Sequence, residues 1–118
     1  MEWAVEFDAA FSAELEAFPD TAEDEILVLA GLLRRFGPQL CRPYCDTLNG
    51  SKYPNMKELR LTVTDGEWRV AFAFDPDRHA ILLVGGSQSG TNQRRFYRDL
   101  IRVADSRFEQ HLQARKGG

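Results

Sequence analysis

At 118 residues and 43% hydrophobic content, the chain has material for one domain and one core, burying roughly 65% of its unfolded-chain surface without disulfide staples. No apolar run approaches the ~20 residues of a membrane span, and the opening residues 1–7 are acidic and alternating rather than basic and then apolar, which predicts no secretory signal and a cytoplasmic protein. The net charge of −3 is segregated: residues 1–33 hold nine acids and no Lys or Arg, and residues 34–118 hold the other nine acids and all fifteen bases, so the two parts carry −9 and +6. Such a division fits an acidic solvated helical face, or a basic part turned to nucleic acid while the acidic part keeps the whole soluble.

In chain order, Trp3, Val5 and Phe7 alternate with Glu2, Ala4 and Glu6, the pattern of a short half-buried strand. Phe7, Phe11, Leu15 and Phe18 recur at helical spacing and predict a first helix over about 8–18, ended by Pro19-Asp20. Thr21 followed by Asp24 resembles a cap for a second helix, with acids crowding its positive end. Ile26, Leu29, Leu32, Leu33 and Phe36 supply its apolar stripe. Arg34 and Arg35 suit its negative end, and Gly37-Pro38 stops it. Residues 37–55, rich in Pro, Gly, Asn and Ser, read as irregular. Cys41 and Cys45 lie within them without further ligands nearby and read as plain thiols.

A meander follows. Leu59, Leu61 and Val63 alternate inward, Asp65-Gly66 makes a hairpin turn, and Trp68, Val70, Phe72 and Phe74 alternate next. Asp75-Pro76-Asp77 turns the chain again, and Ala80 to Val84 is the continuous apolar run of a central strand. From about Gln93, Phe96, Leu100, Ala104, Phe108 and Leu112 mark a long terminal helix, with 114–118 as a frayed tail. The predicted order is β-α-α-β-β-β-α in a single α+β domain spanning 1–118.

Strand alternation sorts the candidate side chains onto faces. With Leu59, Leu61, Val63, Trp68, Val70, Phe72 and Phe74 toward the N-terminal helices, Glu58, Arg60, Thr62, Arg69, Ala71 and Ala73 share the other face. Two arginines above small alanines leave room for a ligand or for the terminal helix. The planar fork of arginine suits phosphate; the plainer reading is a ladder with Glu58 or Glu67. Lys57 is drawn into the same neighbourhood, as a solvated strand end or as a base if the arginines lower its pKa. Tyr97 either packs with its hydroxyl satisfied, or stacks on a base or relays a proton. The segment Gly85–Asn92 resembles a phosphate cradle, but it lacks the P-loop lysine and the dinucleotide spacing, which excludes nucleoside-triphosphate binding. Nothing pairs His79 with His111, so a two-histidine ribonuclease mechanism is not indicated. Cations without a metal-ligand cluster suit binding or cleaving a phosphodiester.

Several blocks together carry a resemblance. Asn55-Met56-Lys57-Glu58-Leu59-Arg60, Phe72-Ala73-Phe74-Asp75-Pro76, Ile81-Leu82-Leu83-Val84-Gly85-Gly86 and Arg95-Phe96-Tyr97, preceded by Gly37-Pro38, Arg42-Pro43 and Asp46-Thr47-Leu48-Asn49-Gly50-Ser51, resemble HigB-like toxins of the RelE/ParE superfamily, in order over nearly the whole chain. The resemblance implies a RelE-like α+β fold: a small, curved, mostly antiparallel sheet carrying two N-terminal helices and one C-terminal helix. It also implies a type II toxin, a helix-turn-helix (HigA-like) antitoxin as partner, and an endoribonuclease that cuts mRNA on the ribosome without metal or cofactor. In that chemistry the ribosyl 2′-hydroxyl attacks the adjacent phosphate, and cations stabilise the charge that develops. Carried over by position, Arg60 and Arg69 hold the scissile phosphate, Tyr97 orients a base or the leaving group, Lys57 assists, and Gln88, Arg94, Arg95 and Arg98 contact RNA. Relatives often carry Lys after the double glycine; here Gln88 stands there, able to donate a hydrogen bond but not to neutralise a phosphate, with Arg94 or Arg95 as substitutes. This departure keeps a second expectation open: a non-nucleolytic member acting through protein contacts, as a gyrase-directed ParE-like toxin or an inactive phage-derived remnant.

Overall fold

The computed structural model describes residues 2–64, 66–90 and 92–117; Asp65 of the expected hairpin turn, Thr91 of the glycine-rich segment and Gly118 of the tail lie outside the described residues. The elements are β1 (Ala4–Phe7), α1 (Ala9–Leu15), α2 (Asp20–Phe36), a 3-10 turn at Gly37–Gln39, β2 (Cys45–Thr47), β3 (Met56–Val63), β4 (Gly66–Phe74), β5 (His79–Ser87) and α3 (Gln93–Gly117). They form one sheet in the order β1-β5-β4-β3-β2, with β1 parallel to β5 and the other pairs antiparallel. The fold is therefore the expected α+β arrangement with one strand more. β2 lies in the segment read as irregular: three residues are too few for alternation to show, and the strand exists because Cys45–Thr47 pairs along Leu59–Lys57 at the sheet edge.

The alternation of β3 and β4 sorts onto two layers as expected. Phe11 of α1 and Ile26, Leu29 and Leu33 of α2 pack on Leu59, Val70, Phe72 and Leu82, each such fully buried side chain contributing about 1.5–3 kcal/mol. On the opposite face, Leu100, Ala104 and Phe108 of α3 pack on Met56, Ala71, Ala73, Ile81 and Leu83. The room above the two alanines is thus taken by the terminal helix. β5 has helices on both sides, which is why its sequence reads as a continuous apolar run.

Helix ends depart from expectation by a few residues, each for a local reason. Asp8 caps α1 by accepting the Phe11 N–H at 3.1 Å, and the helix ends at Leu15. In α2 no Thr21 cap forms: Pro19 is the cap residue, without a side-chain bond, and its carbonyl accepts the N–H groups of Ala22 and Glu23. Gly37 ends α2 at φ +55, its N–H on Leu33 O. A Cβ there would lie 2.3 Å from the Trp3 ring, so the same glycine lets β1 dock against the end of α2. The helix α3 runs over Gln93–Gly117, with Arg115 Nε donating to Asp77 at 2.7 Å. No described helix is long and apolar enough to cross a membrane.

The β4–β5 turn is built on a buried carboxylate. Asp75 Oδ1 accepts the backbone N–H groups of Asp77 and His79, and Oδ2 lies 2.8 Å from His111 Nε2. The two histidines each have a carboxylate partner, Asp75 for His111 and Glu6 for His79. Burial works to raise the Asp75 pKa, but the His111 ring and the two backbone donors outweigh it and hold the group below its ordinary value. On α3, Arg107 grips Glu14 with two bonds of 2.9 and 2.6 Å and the Leu83 carbonyl at 2.7 Å, and its hydrogen bond lowers the Glu14 pKa.

Folded-state pKa values below the unfolded ones mean that the folded chain binds these protons less tightly, so their contribution is present above about pH 4.5 and is lost as the pH falls through the depressed values. Urea unfolding measured from pH 7 to pH 3 should show stability falling below about pH 4.5. Asp75→Asn should cost about 1–3 kcal/mol at pH 7 through the donors left without a charged acceptor, and its stability should fall less steeply with acid. Equal acid slopes in the two proteins would remove Asp75 as a source of the dependence.

Candidate active site

Pairing places Arg60 of β3 directly opposite Arg69 of β4, on the sheet face that α3 covers and near the helix's first turns. The two arginines do not form a bare cationic patch. The Arg69 side chain is only 5% exposed. Its Nη1 donates to Trp68 O at 2.9 Å, Nη2 to Glu67 Oε1 at 3.1 Å and Nε to the Tyr97 hydroxyl at 3.2 Å. Tyr97 in turn donates to Glu58 Oε1 at 2.8 Å. The other oxygen, Glu58 Oε2, accepts from Arg60 Nη1 at 3.2 Å, and Arg60 keeps 34% of its side chain exposed. Two guanidiniums thus meet two carboxylates, and the ladder with Glu58 and Glu67 is present.

Glu58 is the hub that reading the sequence for cations underrated. It is 4% exposed, a burial that a charged group tolerates only when paired and hydrogen-bonded. Here Tyr97 takes one oxygen and Arg60 the other, with Arg69 Nε 3.7 Å from the first. The signal was available: Glu58 stands two residues before Arg60 on the same face, opposite Ala71, whose methyl group leaves it space. Burial foremost, and then the Glu58 hydrogen bond, raise the Tyr97 pKa against the opposing pull of Arg69, so the phenol stays protonated at neutral pH. A cleft of about 190 Å³ opens beside the pair, lined by Thr47, Leu48, Asn49, Glu58 and Tyr97. The end of β2, the strand not foreseen, forms one of its walls.

Lys57 does not join this group. Alternation along β3 puts it on the Leu59 face, beside Cys45, whose thiol burial pushes up to about 11 while Lys57 pulls the other way. Gln88 follows the end of β5, its N–H on Glu67 O at 2.8 Å, so it is tied to the strand that carries Arg69. Arg94, Arg95 and Arg98 are exposed on the first turns of α3, where Arg98 and Arg102 flank Asp99 at 3.7 and 4.0 Å. They form a positive rim outside the network. The double glycine belongs to β5, which runs through Ser87. A Cβ on Gly86 would lie 3.3 Å from Phe96 of α3, and one on Gly85 would lie 3.1 Å from Val70 and 3.2 Å from Phe11. Close packing from both layers therefore accounts for the pair.

Tyr97→Phe keeps the ring and deletes the bond to Glu58 and the acceptor for Arg69. It should cost about 1.5–3 kcal/mol in urea unfolding at pH 7, the value of a hydrogen bond to a charged group. An unchanged midpoint would mean that the network does not hold α3 to the sheet.

Comparison with known proteins agrees with this architecture. Residues 13–109 match the family described as Phage derived protein Gp49-like (DUF891). The chain is 48% identical over 87 residues to the Mycobacterium tuberculosis protein named as toxin HigB3, covering 74% of each. It is 37% identical over 102 residues to that organism's protein named as toxin HigB2, covering 86% of this chain and 50% of the relative, so it spans about half the length of HigB2. Among solved structures, a mutant of the E. coli toxin RelE in the free state superposes with a TM-score of 0.59 at 11% identity, over 86% of this chain and 95% of that one. A chain of the RelBE2 toxin–antitoxin complex from Mycobacterium tuberculosis gives 0.57 at 16% identity, over 75% and 100%. At such identities these two share the fold alone. The Gp49-like match over most of the chain and the 48% identity to HigB3 show that this chain belongs to the Gp49-like family with the HigB-like proteins, and its fold is the one seen in RelE.

Proposed function

We propose that the chain is the toxin of a type II toxin–antitoxin pair, that it cleaves mRNA on the ribosome in the cytoplasm, and that a HigA-like helix-turn-helix antitoxin neutralises it. The RelBE2 complex supports an antitoxin partner, since that solved neighbour is a toxin–antitoxin assembly. The observation that carries cleavage is the contact of Glu58 with Tyr97 and Arg60 beside an open cleft.

In this reading Glu58 is the general base, which takes the proton of the ribosyl 2′-hydroxyl. The 2′-oxygen bonds to phosphorus, the bond to the 5′-oxygen breaks, and the leaving oxygen takes the phenolic proton of Tyr97. The 2.8 Å bond between the two residues then returns the proton from Glu58 to Tyr97, so the pair is reset without any other group. Arg69 Nε stabilises the transient phenolate. Arg60, the more exposed guanidinium, faces the phosphate as negative charge builds on it. Arg94, Arg95 and Arg98 hold the RNA backbone along the rim, and Gln88 adds a neutral donor. No metal or cofactor enters these steps, and Lys57, on the other face, has no part in them.

A second reading, action through protein contacts as in gyrase-directed toxins, is favoured by one observation: the donors of Arg69 are already engaged by the chain itself. Induced expression separates the two. Cleavage predicts growth arrest with codon-positioned 5′ ends in translated mRNA by primer extension. Glu58→Gln should reduce cutting about 10²–10⁴-fold and Arg60→Ala about 10²–10³-fold, while Lys57→Ala leaves it unchanged. Arrest with intact transcripts and damaged DNA would overturn the nuclease reading, and undiminished cutting by Glu58→Gln would remove Glu58 as the base.

A further inference from the structure

The outward stripe of α2 is unlike an ordinary solvated face. Opposite the buried Ala22, Ile26, Leu29, Ala30 and Leu33 stand Asp20, Asp24, Leu27, Val28, Gly31, Arg34 and Arg35, recurring at three- and four-residue intervals. Leu27 and Val28 are 50% and 56% exposed, two of the four large hydrophobic side chains that the described residues leave in solvent. Gly31 lies between the apolar pair and the arginines of this stripe, in a helix interior, where glycine is a poor choice. A Cβ there would meet nothing within 4 Å, so no contact inside the chain requires its smallness. Among the described residues, Asp20, Asp24, Arg34 and Arg35 enter no ion pair within the chain; Arg35 lies over the ring of Phe36.

We infer that this stripe is a docking surface for a second copy of the same chain. Along the helix the stripe reads acid, apolar, glycine, base. Two such helices crossing antiparallel about a two-fold axis near Val28 set Asp20 and Asp24 of each copy against Arg34 and Arg35 of the other. Leu27 and Val28 then meet their own counterparts, and Gly31 lets the backbones approach. Such self-complementarity is what an isologous interface requires. A different partner would have to reproduce the same charge order in reverse. Because α2 covers the Leu59 face of the sheet and the Glu58–Tyr97 cleft opens on the other, the pairing leaves both clefts free and pointing apart.

The test is a charge-exchange pair, made by cell-free synthesis and weighed by light scattering after size exclusion at micromolar concentration. The unsubstituted chain should be dimeric. Arg34→Glu with Arg35→Glu makes one stripe all acidic, and Asp20→Arg with Asp24→Arg makes the other all basic. Each double variant alone should be monomeric, with dimer affinity lowered about a hundredfold or more by like charges in contact, while circular dichroism melts show that it is folded. Mixed together, the two should form a heterodimer. A chain that is monomeric throughout, or a dimer that survives both charge reversals, overturns the assignment. So does an antitoxin complex disrupted by Leu27→Asp with Val28→Asp when the chain alone is monomeric, because the face would then belong to that partner.

Discussion

The fold depends on a sheet whose middle strands must be covered on both faces. β4 carries large apolar side chains toward α1 and α2 and alanines toward α3, while β5 is apolar toward both layers. Phe72 and Leu82 fill one layer, while Ala71 and Ala73 thin the other so that the 25-residue α3 can lie close. On β4 this asymmetry in side-chain volume makes room for α3. At the end of β5, Phe96 from one layer and Phe11 from the other crowd the positions where a Cβ on Gly86 or Gly85 would stand.

That same arrangement makes the polar network. Beyond Ala71 and Ala73 the face under α3 changes to Glu58, Arg60 and Arg69, and the helix there offers Tyr97 in place of the buried Leu100, Ala104 and Phe108. Apolar cover thins toward the first turns of α3, and the charges must be satisfied by one another because water is largely excluded. A carboxylate, two guanidiniums and a phenol in mutual contact are held in defined positions at no reorganisation cost during a reaction. The cleft against Thr47, Leu48 and Asn49 is the opening through which such a network could meet a substrate.

Long periodic elements were legible in the sequence, and so was the division of faces on β3 and β4, because burial repeats every second or every third to fourth residue. What escaped was set by contacts remote in sequence. β2 is three residues long and owes its existence to pairing with β3. The carboxylate partners of the histidines could not be read from spacing, because Glu6 and Asp75 reach them across 73 and 36 residues. Lys57 was grouped with Arg60 by proximity in sequence, although an odd spacing of three on a strand puts the two on opposite faces. Arg69 was rightly placed on the α3 face, but its burial, and with it the central place of Glu58, depended on where Tyr97 would land.

The segregation of charge, ambiguous in the sequence, has a spatial meaning in the fold. Of the nine acids of residues 1–33, Glu2 precedes β1 and the other eight lie on β1, α1, α2 and the turns between them, largely on the side of the sheet away from Glu58. Arg94, Arg95, Arg98 and Arg102 line the opposite side at the start of α3. An overall acidic protein can thus present a positive rim to a polyanion, since exposed charges beyond about 8 Å are screened at physiological salt and the local sign governs the encounter. Arg34 and Arg35, cations on the acidic side, sit at the negative end of α2. There they serve the helix dipole and complete the self-complementary stripe, so a single pair of arginines answers to both local helix stability and the surface the helix presents.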